Sequence, residues 1–163
     1  MELQRITEQN RAKINTFLKE HWYTTEMVLR GQVVDMTQAE GFFIEEDNEI
    51  IGLITYAVFG QVLEILSLDS LRPGQGLGTA LIGQVVQVAG EMGCRKIVVI
   101  TTNDNLHALG FYQRRGFDMA RLFRGALEVS RKLKPEIPLI GENNIPLRHE
   151  IELELVLCKE GKN

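Results

Sequence analysis

Three glycines stand at alternate positions, Gly74, Gly76 and Gly78, in the stretch LRPGQGLGTALIGQVV at residues 71–86. Alternating glycines let a backbone approach a ligand closely and adopt positive φ. The apolar period that follows, Leu77, Leu81, Val85, Val88 and Met92 closed by Gly93, predicts a helix opening from the loop. Such a helix start presents first-turn N–H groups to an anion. Two phosphate-binding patterns are excluded. A P-loop carries a lysine immediately before its Ser or Thr, and here Leu77-Gly78 precede Thr79. A dinucleotide fingerprint needs G-x-G-x-x-G directly after a strand and an acid at the end of the next strand. Here the spacing is G-x-G-x-G, and KIVVIT runs into Thr101, Thr102 and Asn103. A diphosphate on bare backbone amides remains, set against a plain strand-to-helix turn whose glycines serve only the backbone.

The surrounding pattern supplies elements to hold this loop. Thr7 and the spacing of Ile14, Phe17, Leu18 and His21 predict a helix over 7–21, and a shorter one over Thr25 to Arg30 stopped by Gly31. GFFIEE, IIGLITYAVF and VLEILSL then read as successive strands, with the segment near the start able to pair beside them. KIVVIT is apolar throughout, as in a strand covered on both faces. NLHALGFYQRR predicts a short helix, FDMARLF a strand, and LRHEIELELVL (147–157) a strand with one wet face. Residues 124–148 are irregular, with helical turns expected around Leu127 to Leu133. The order predicts an α/β (α+β) fold in one domain over 1–163, with a mixed sheet.

Composition closes several function classes. A net charge of -4 lacks the basic excess of a nucleic-acid surface. No apolar run is long enough for a membrane helix, and MELQRITEQN lacks a signal-peptide core. Cys94 and Cys158 form no C-x-x-C and read as free thiols of a cytoplasmic protein. No His or Cys pair has metal-ligand spacing, so no metal is expected.

LEILSL followed by PGQGLGTALI resembles the acetyl-CoA site of the GNAT N-acetyltransferase superfamily, whose signature there is R/Q-x-x-G-x-G/A. Downstream, NLHALGFYQRRGF is similar to the family's second pattern: Asn105, Ala108, Tyr112, Gly116 and Phe117 fill its positions. The likeness covers about residues 41–123. It departs at one point, for Pro73 takes the place of the opening Arg or Gln, and Arg72 is displaced by one. The resemblance implies a mostly antiparallel central sheet with helices on both faces, acetyl-CoA as co-substrate, and a small-molecule or peptide amine as acceptor. No nucleic-acid or membrane partner is implied, and a homodimer stays open.

It also implies roles. Residues Gly74, Gln75, Gly76, Leu77, Gly78 and Thr79 would cradle the diphosphate. Leu66, Ser67 and Leu68 would hold the pantetheine arm and thioester carbonyl where their strand splays from its neighbour. Asn105 would cap its helix and touch the cofactor. Direct attack on a thioester needs a deprotonated amine, a donor for the oxyanion and a proton for the thiolate. Tyr112 is the expected proton donor, and a core tyrosine is its alternative. Glu64, among Val62, Leu66 and Leu68, is the expected base, set against an ordinary exposed acid. Glu45, Glu26 and His21 remain alternatives for it; His107 and His149 read as plain helix and strand residues. Trp22, Tyr23, Glu26 and residues 125–148 would border the acceptor. The rival function is a non-catalytic acyl-CoA-binding or sensing domain of the same fold. Tyr112 and Glu64 facing one tunnel at Leu66 would mark an enzyme.

Overall fold

The computed structural model describes residues 1–22, 24–29 and 31–157; Tyr23, Arg30 and Cys158 lie outside the described residues. Its elements are β1 (Glu2–Arg5), α1 (Arg11–Trp22), β2 (Glu26–Leu29), β3 (Gln32–Asp35), β4 (Glu40–Glu46), β5 (Glu49–Phe59) and β6 (Val62–Ser70). There follow α2 (Leu77–Glu91), β7 (Lys96–Thr102), α3 (Leu106–Arg114), β8 (Asp118–Phe123), α4 (Ala126–Leu133), a 3-10 turn (Glu142–Asn144) and β9 (Glu150–Val156). Seven strands form one sheet in the order β1-β4-β5-β6-β7-β9-β8, and β2 and β3 form a separate hairpin. Within the large sheet only β6 and β7 pair in parallel; the other contacts are antiparallel. This is the mixed sheet that the order of elements predicts, and it is mostly antiparallel, as the family resemblance implies.

Strand alternation sends neighbouring side chains to opposite faces, so both sides of the sheet carry a core. Phe42, Ile54, Leu63, Ile65 and Ile97 meet Leu81, Ile82 and Val85 of α2. Phe43, Ile50 and Leu53 meet Ile14, Phe17 and Leu18 of α1. The parallel β6–α2–β7 step needs a crossover, and α2 supplies it with its apolar stripe against the sheet.

Two local expectations are corrected. Where the sequence predicts a helix over 25–30, Glu26–Leu29 form a strand, because Met27, Val28 and Leu29 pair with Val34, Val33 and Gln32. Gly31, at φ +70°, belongs to the hairpin turn and does not cap a helix. α1 starts at Arg11 rather than at Thr7. The Thr7 N–H donates to Asn10 Oδ1 at 2.8 Å, and Asn10 Nδ2 donates to the Arg5 carbonyl at 3.0 Å. The 7–10 segment is thereby a turn tying β1 to α1.

Leu53 has no exposure and sits between α1 and the sheet. Leu53→Ala is expected to cost about 2–5 kcal/mol of stability, read as a lower urea midpoint with unchanged slope. An unaltered midpoint would show that α1 does not seal this face.

Candidate acyl-transfer site

β6 has an irregularity at its centre. Thr55 of β5 pairs with Ser67 and Tyr56 pairs with Ile65, which leaves Leu66 as an extra residue, a β-bulge. On the other side, pairing with β7 ends at Ile65–Val99. β6 nevertheless continues to Ser70, and β7 continues to Thr102 paired with β9. A bulge bends its strand, and beyond Leu66 the two parallel strands part.

A cleft of about 790 Å³ opens where they part. Leu66, Ser67, Leu68, Ile100, Asn105 and Tyr112 line one part of it. Trp22, β2, Leu127 and Leu133 line another, together with Glu26, Lys134, Glu136 and the buried Glu150. The β2–β3 hairpin and α4, joined by Lys134 Nζ donating to the Glu26 carbonyl at 3.5 Å, thus border the opening. Ser67 is buried and its Oγ lies 2.5 Å from Thr55 Oγ1, so this hydroxyl is held within the sheet.

The glycine loop leads from β6 into α2. Gly74 and Gly76 have φ of +80° and +73°, where a side chain would strain the backbone. Gly76 is the N-cap of α2 and supplies no side-chain cap, so the first-turn N–H groups at Leu77, Gly78 and Thr79 face outward without an intrahelical acceptor. Gln75 and Thr79 are exposed and Leu77 is buried. Gly78 has another reason: a Cβ there would lie 2.9 Å from the Phe111 ring of α3. Arg72, the displaced arginine, is ion-paired with Glu46.

Asn105 caps α3, its side chain accepting from the Ala108 N–H at 3.0 Å. Tyr112, one α3 turn before the Gly116–Phe117 corner, packs edge-on to Phe111 and Phe117 at centroid distances of 5.2 and 5.3 Å. It is 5% exposed and reaches the cleft wall. Burial, with a smaller contribution from the Asp69 carboxylate, pushes its phenol well above the ordinary range. The hydroxyl therefore keeps its proton throughout the physiological range.

Glu64, the expected base, lies just before the cleft. It is buried, 4% exposed, and the cleft lining begins one residue later at Ile65. Tyr112 and Leu66 share the cleft, and Glu64 is not on its wall. Among the other carboxylates and imidazoles considered, Glu45 pairs with Lys13, and His21 Nδ1 lies 2.9 Å from the Phe17 carbonyl. His107 lies tilted against Phe111, and His149 Nδ1 accepts from the Gly125 N–H at 2.9 Å. Cys94 is buried in the core. Among the described residues no group of three or more His, Cys, Asp or Glu is arranged for a metal, and no helix is long and apolar enough to cross a membrane.

Sequence reasoning missed Asp69. Trp22 Nε1 donates to Asp69 Oδ2 at 3.0 Å, carrying α1 across to the end of β6. Burial raises this carboxyl above its ordinary value, against the opposing pull of Trp22 and His21. The available signal was an acid closing an apolar strand immediately before the glycine loop.

The model of the Acetyltransferase (GNAT) family matches residues 7–117. The chain belongs to this family. The Bacillus subtilis (strain 168) uncharacterized protein YxbD is 43% identical over 148 residues, 90% of this chain and 91% of that protein. The Bacillus subtilis (strain 168) spermine/spermidine N(1)-acetyltransferase is 28% identical over 93 residues, 50% of this chain and 59% of that one. Among solved structures, a GNAT family acetyltransferase from Elizabethkingia anophelis with acetyl-CoA bound superposes with a TM-score of 0.68 at 20% identity, covering 96% of this chain and 97% of that one. That likeness is one of fold.

The Phe111–Gly78 contact predicts unequal effects within one GNAT helix. Gly78→Ala should lower the melting temperature by displacing the ring, whereas Gly83→Ala, with open space at its Cβ, should raise it through a gain in stability of up to about 1 kcal/mol from helix propensity. Equal shifts in thermal melts would contradict the packing role of Gly78.

Proposed function

We propose that the protein is an acetyl-CoA-dependent N-acetyltransferase, moving an acetyl group to a primary amine by direct attack. The observation that carries this reading is the parting of β6 from β7 at Leu66, with Tyr112 on the wall of the cleft so formed. The site fits the co-substrate in two places. Uncapped amides at Leu77, Gly78 and Thr79, approached through Gly74 and Gly76 at positive φ, suit a diphosphate. The edge of β6 at Leu66, Ser67 and Leu68, beyond the last β7 pair, suits the amides of a pantetheine arm. Asn105 borders the same slot. Acetyl-CoA supplies the activated acetyl thioester.

In this reading the protein's own groups manage two protons. Asp69 stands one residue past the last β6 residue on the cleft wall, Leu68, and is held by Trp22, which is on that wall; through water it accepts a proton from the incoming ammonium, the role first expected of Glu64. Its raised carboxyl is a better base than an ordinary one. Tyr112 gives its hydroxyl proton to the departing sulfur. Burial holds that proton in place, and the same desolvated wall raises the basicity of the thiolate that receives it. No cysteine nucleophile is needed. Glu26, Glu136 and Glu150 along the cleft favour a cationic acceptor, in line with the spermine and spermidine in the name of one relative.

The test begins with CoA titration and a turnover screen over polyamines, amino acids, aminoglycosides and peptide amino termini. CoA should raise the melting temperature by mass action. Tyr112→Phe should lower kcat by about 10²-fold or more while CoA affinity holds. CoA binding with no turnover on any amine would favour the sensing domain, and full activity in Tyr112→Phe would remove the phenol from the mechanism.

Asp69→Asn separates a base from a structural acid. The folded protein holds this carboxyl above its ordinary value, so it binds the proton more tightly folded than unfolded. Stability therefore falls as pH rises from the ordinary carboxylate value through the raised one. The neutral amide escapes that cost and still accepts from Trp22. Asp69→Asn is expected to melt no lower than wild type at neutral pH, yet to lose kcat and the rise of rate with pH. Unchanged rates with an unchanged pH profile would assign the base elsewhere.

A further inference from the structure

The departure at Pro73 leaves a question of charge. Where the family pattern has Arg or Gln, the loop has an imino acid without an N–H, and the adjacent Arg72 is committed to Glu46. Neither residue offers the loop a cation. The structure brings one from the opposite side.

Arg115, the C-cap of α3, lies across the first turn of α2. Its Nε and one terminal nitrogen donate to Thr79 Oγ1 at 3.0 and 2.7 Å, and the other terminal nitrogen donates to the Phe111 carbonyl at 2.9 Å. The guanidinium lies over the Phe111 ring, 3.5 Å from its centroid. Phe111 is itself seated against Gly78. Two contacts thus fix the plane of the group, and one fixes its rotation. The rotamer entropy that a surface arginine loses on binding is already spent.

A guanidinium has five N–H donors. Three are engaged, which leaves one on each terminal nitrogen of a half-exposed side chain. Two free N–H groups on a charged, planar group suit the oxygens of a phosphate. Thr79 is the third residue of α2, so the guanidinium sits next to the uncapped amides of the loop.

We propose that Arg115 binds a phosphate of the co-substrate, supplying from α3 the positive charge that Pro73 removes from the loop. The inference rests on the acetyl-CoA reading and adds a binding residue to it. It makes Phe111 and Thr79 positioning residues, the ring as a platform and the hydroxyl as a tether. It also gives Gly78 a second purpose, since a side chain there would lift Phe111 and the guanidinium with it. Arg114, next in sequence, is exposed and has no such seat.

The experiment is calorimetric titration of wild type, Arg115→Gln and Arg115→Lys with CoA, dephospho-CoA and pantetheine, at two salt concentrations. Removing one charge-assisted phosphate contact should weaken CoA binding roughly ten-fold or more in Arg115→Gln. Its dependence on salt should flatten, while pantetheine, which has no phosphate, should bind both proteins alike. Arg115→Lys, which keeps the charge and loses the planar group, should fall between. A loss shared by CoA and dephospho-CoA places the contact on the diphosphate, whereas a loss confined to CoA places it on the 3′-phosphate; either supports the proposal. Apo melting temperatures of the three proteins show whether a loss reflects folding instead, and a loss of CoA affinity matched by pantetheine would overturn the proposal. Wild-type CoA affinity in Arg115→Gln would overturn it and leave the acetyl-CoA reading intact. Failure of the wild-type protein to bind CoA would overturn both.

Discussion

A sheet in which every strand stayed paired would have no place for a substrate. The bulge at Leu66 breaks that continuity at one point. Upstream of it, Val62 to Ile65 are paired with both β5 and β7, and the side chains of Leu63 and Ile65 build the core beneath α2. Downstream, β6 keeps β5 and loses β7, and β7 turns its remaining pairing to β9. One extra residue thereby converts a closed sheet into two diverging edges with a cleft between them. The backbone groups exposed on those edges need partners, and an extended amide-bearing arm is a partner of the right kind.

Everything around the cleft is arranged by contacts that start elsewhere. Tyr112 is fixed by Phe111 and Phe117, so its position depends on the Gly116 corner and on the cap of α3 at Asn105. That cap is braced from behind. Asp104, 5% exposed, accepts from the Glu142 N–H at 2.8 Å, and Asn143 reaches the Asp104 carbonyl. The irregular segment before β9 is thus tied to the start of α3. On the other face, Trp22 carries α1 onto Asp69. Elements far apart in sequence converge on the end of β6, which is why the site depends on the whole sheet.

Much of this was legible in the sequence. The order of strands and helices from Gly41 to Phe123 follows from alternation and period, because those elements bury one face or both against long-range partners. The two glycine-containing motifs named the family, and positive φ at Gly74 and Gly76 matches their chemistry. The β2–β3 hairpin was not legible. Four apolar or polar residues before a glycine fit a helix end as well as a hairpin turn, and only pairing with Val33 and Val34 decides between them. Glu64 is buried one residue before the cleft lining begins, a distance along the strand that alternation alone does not give. Asp69 and Arg115 were overlooked for a shared reason. Each is held by a residue from a distant segment, Trp22 in one case and Thr79 with Phe111 in the other, and no local pattern reports such a contact.

The central claim is that the edge of β6 beyond Leu66 and the first turn of α2 form one binding surface. Amide hydrogen exchange, with and without saturating CoA, tests it most directly. The account predicts slowed exchange at residues 66–68 and 74–79 together, with little change at Val62 to Ile65, where β7 already covers the strand. Protection confined to other elements, or none at residues 66–68 while CoA is bound, would contradict it.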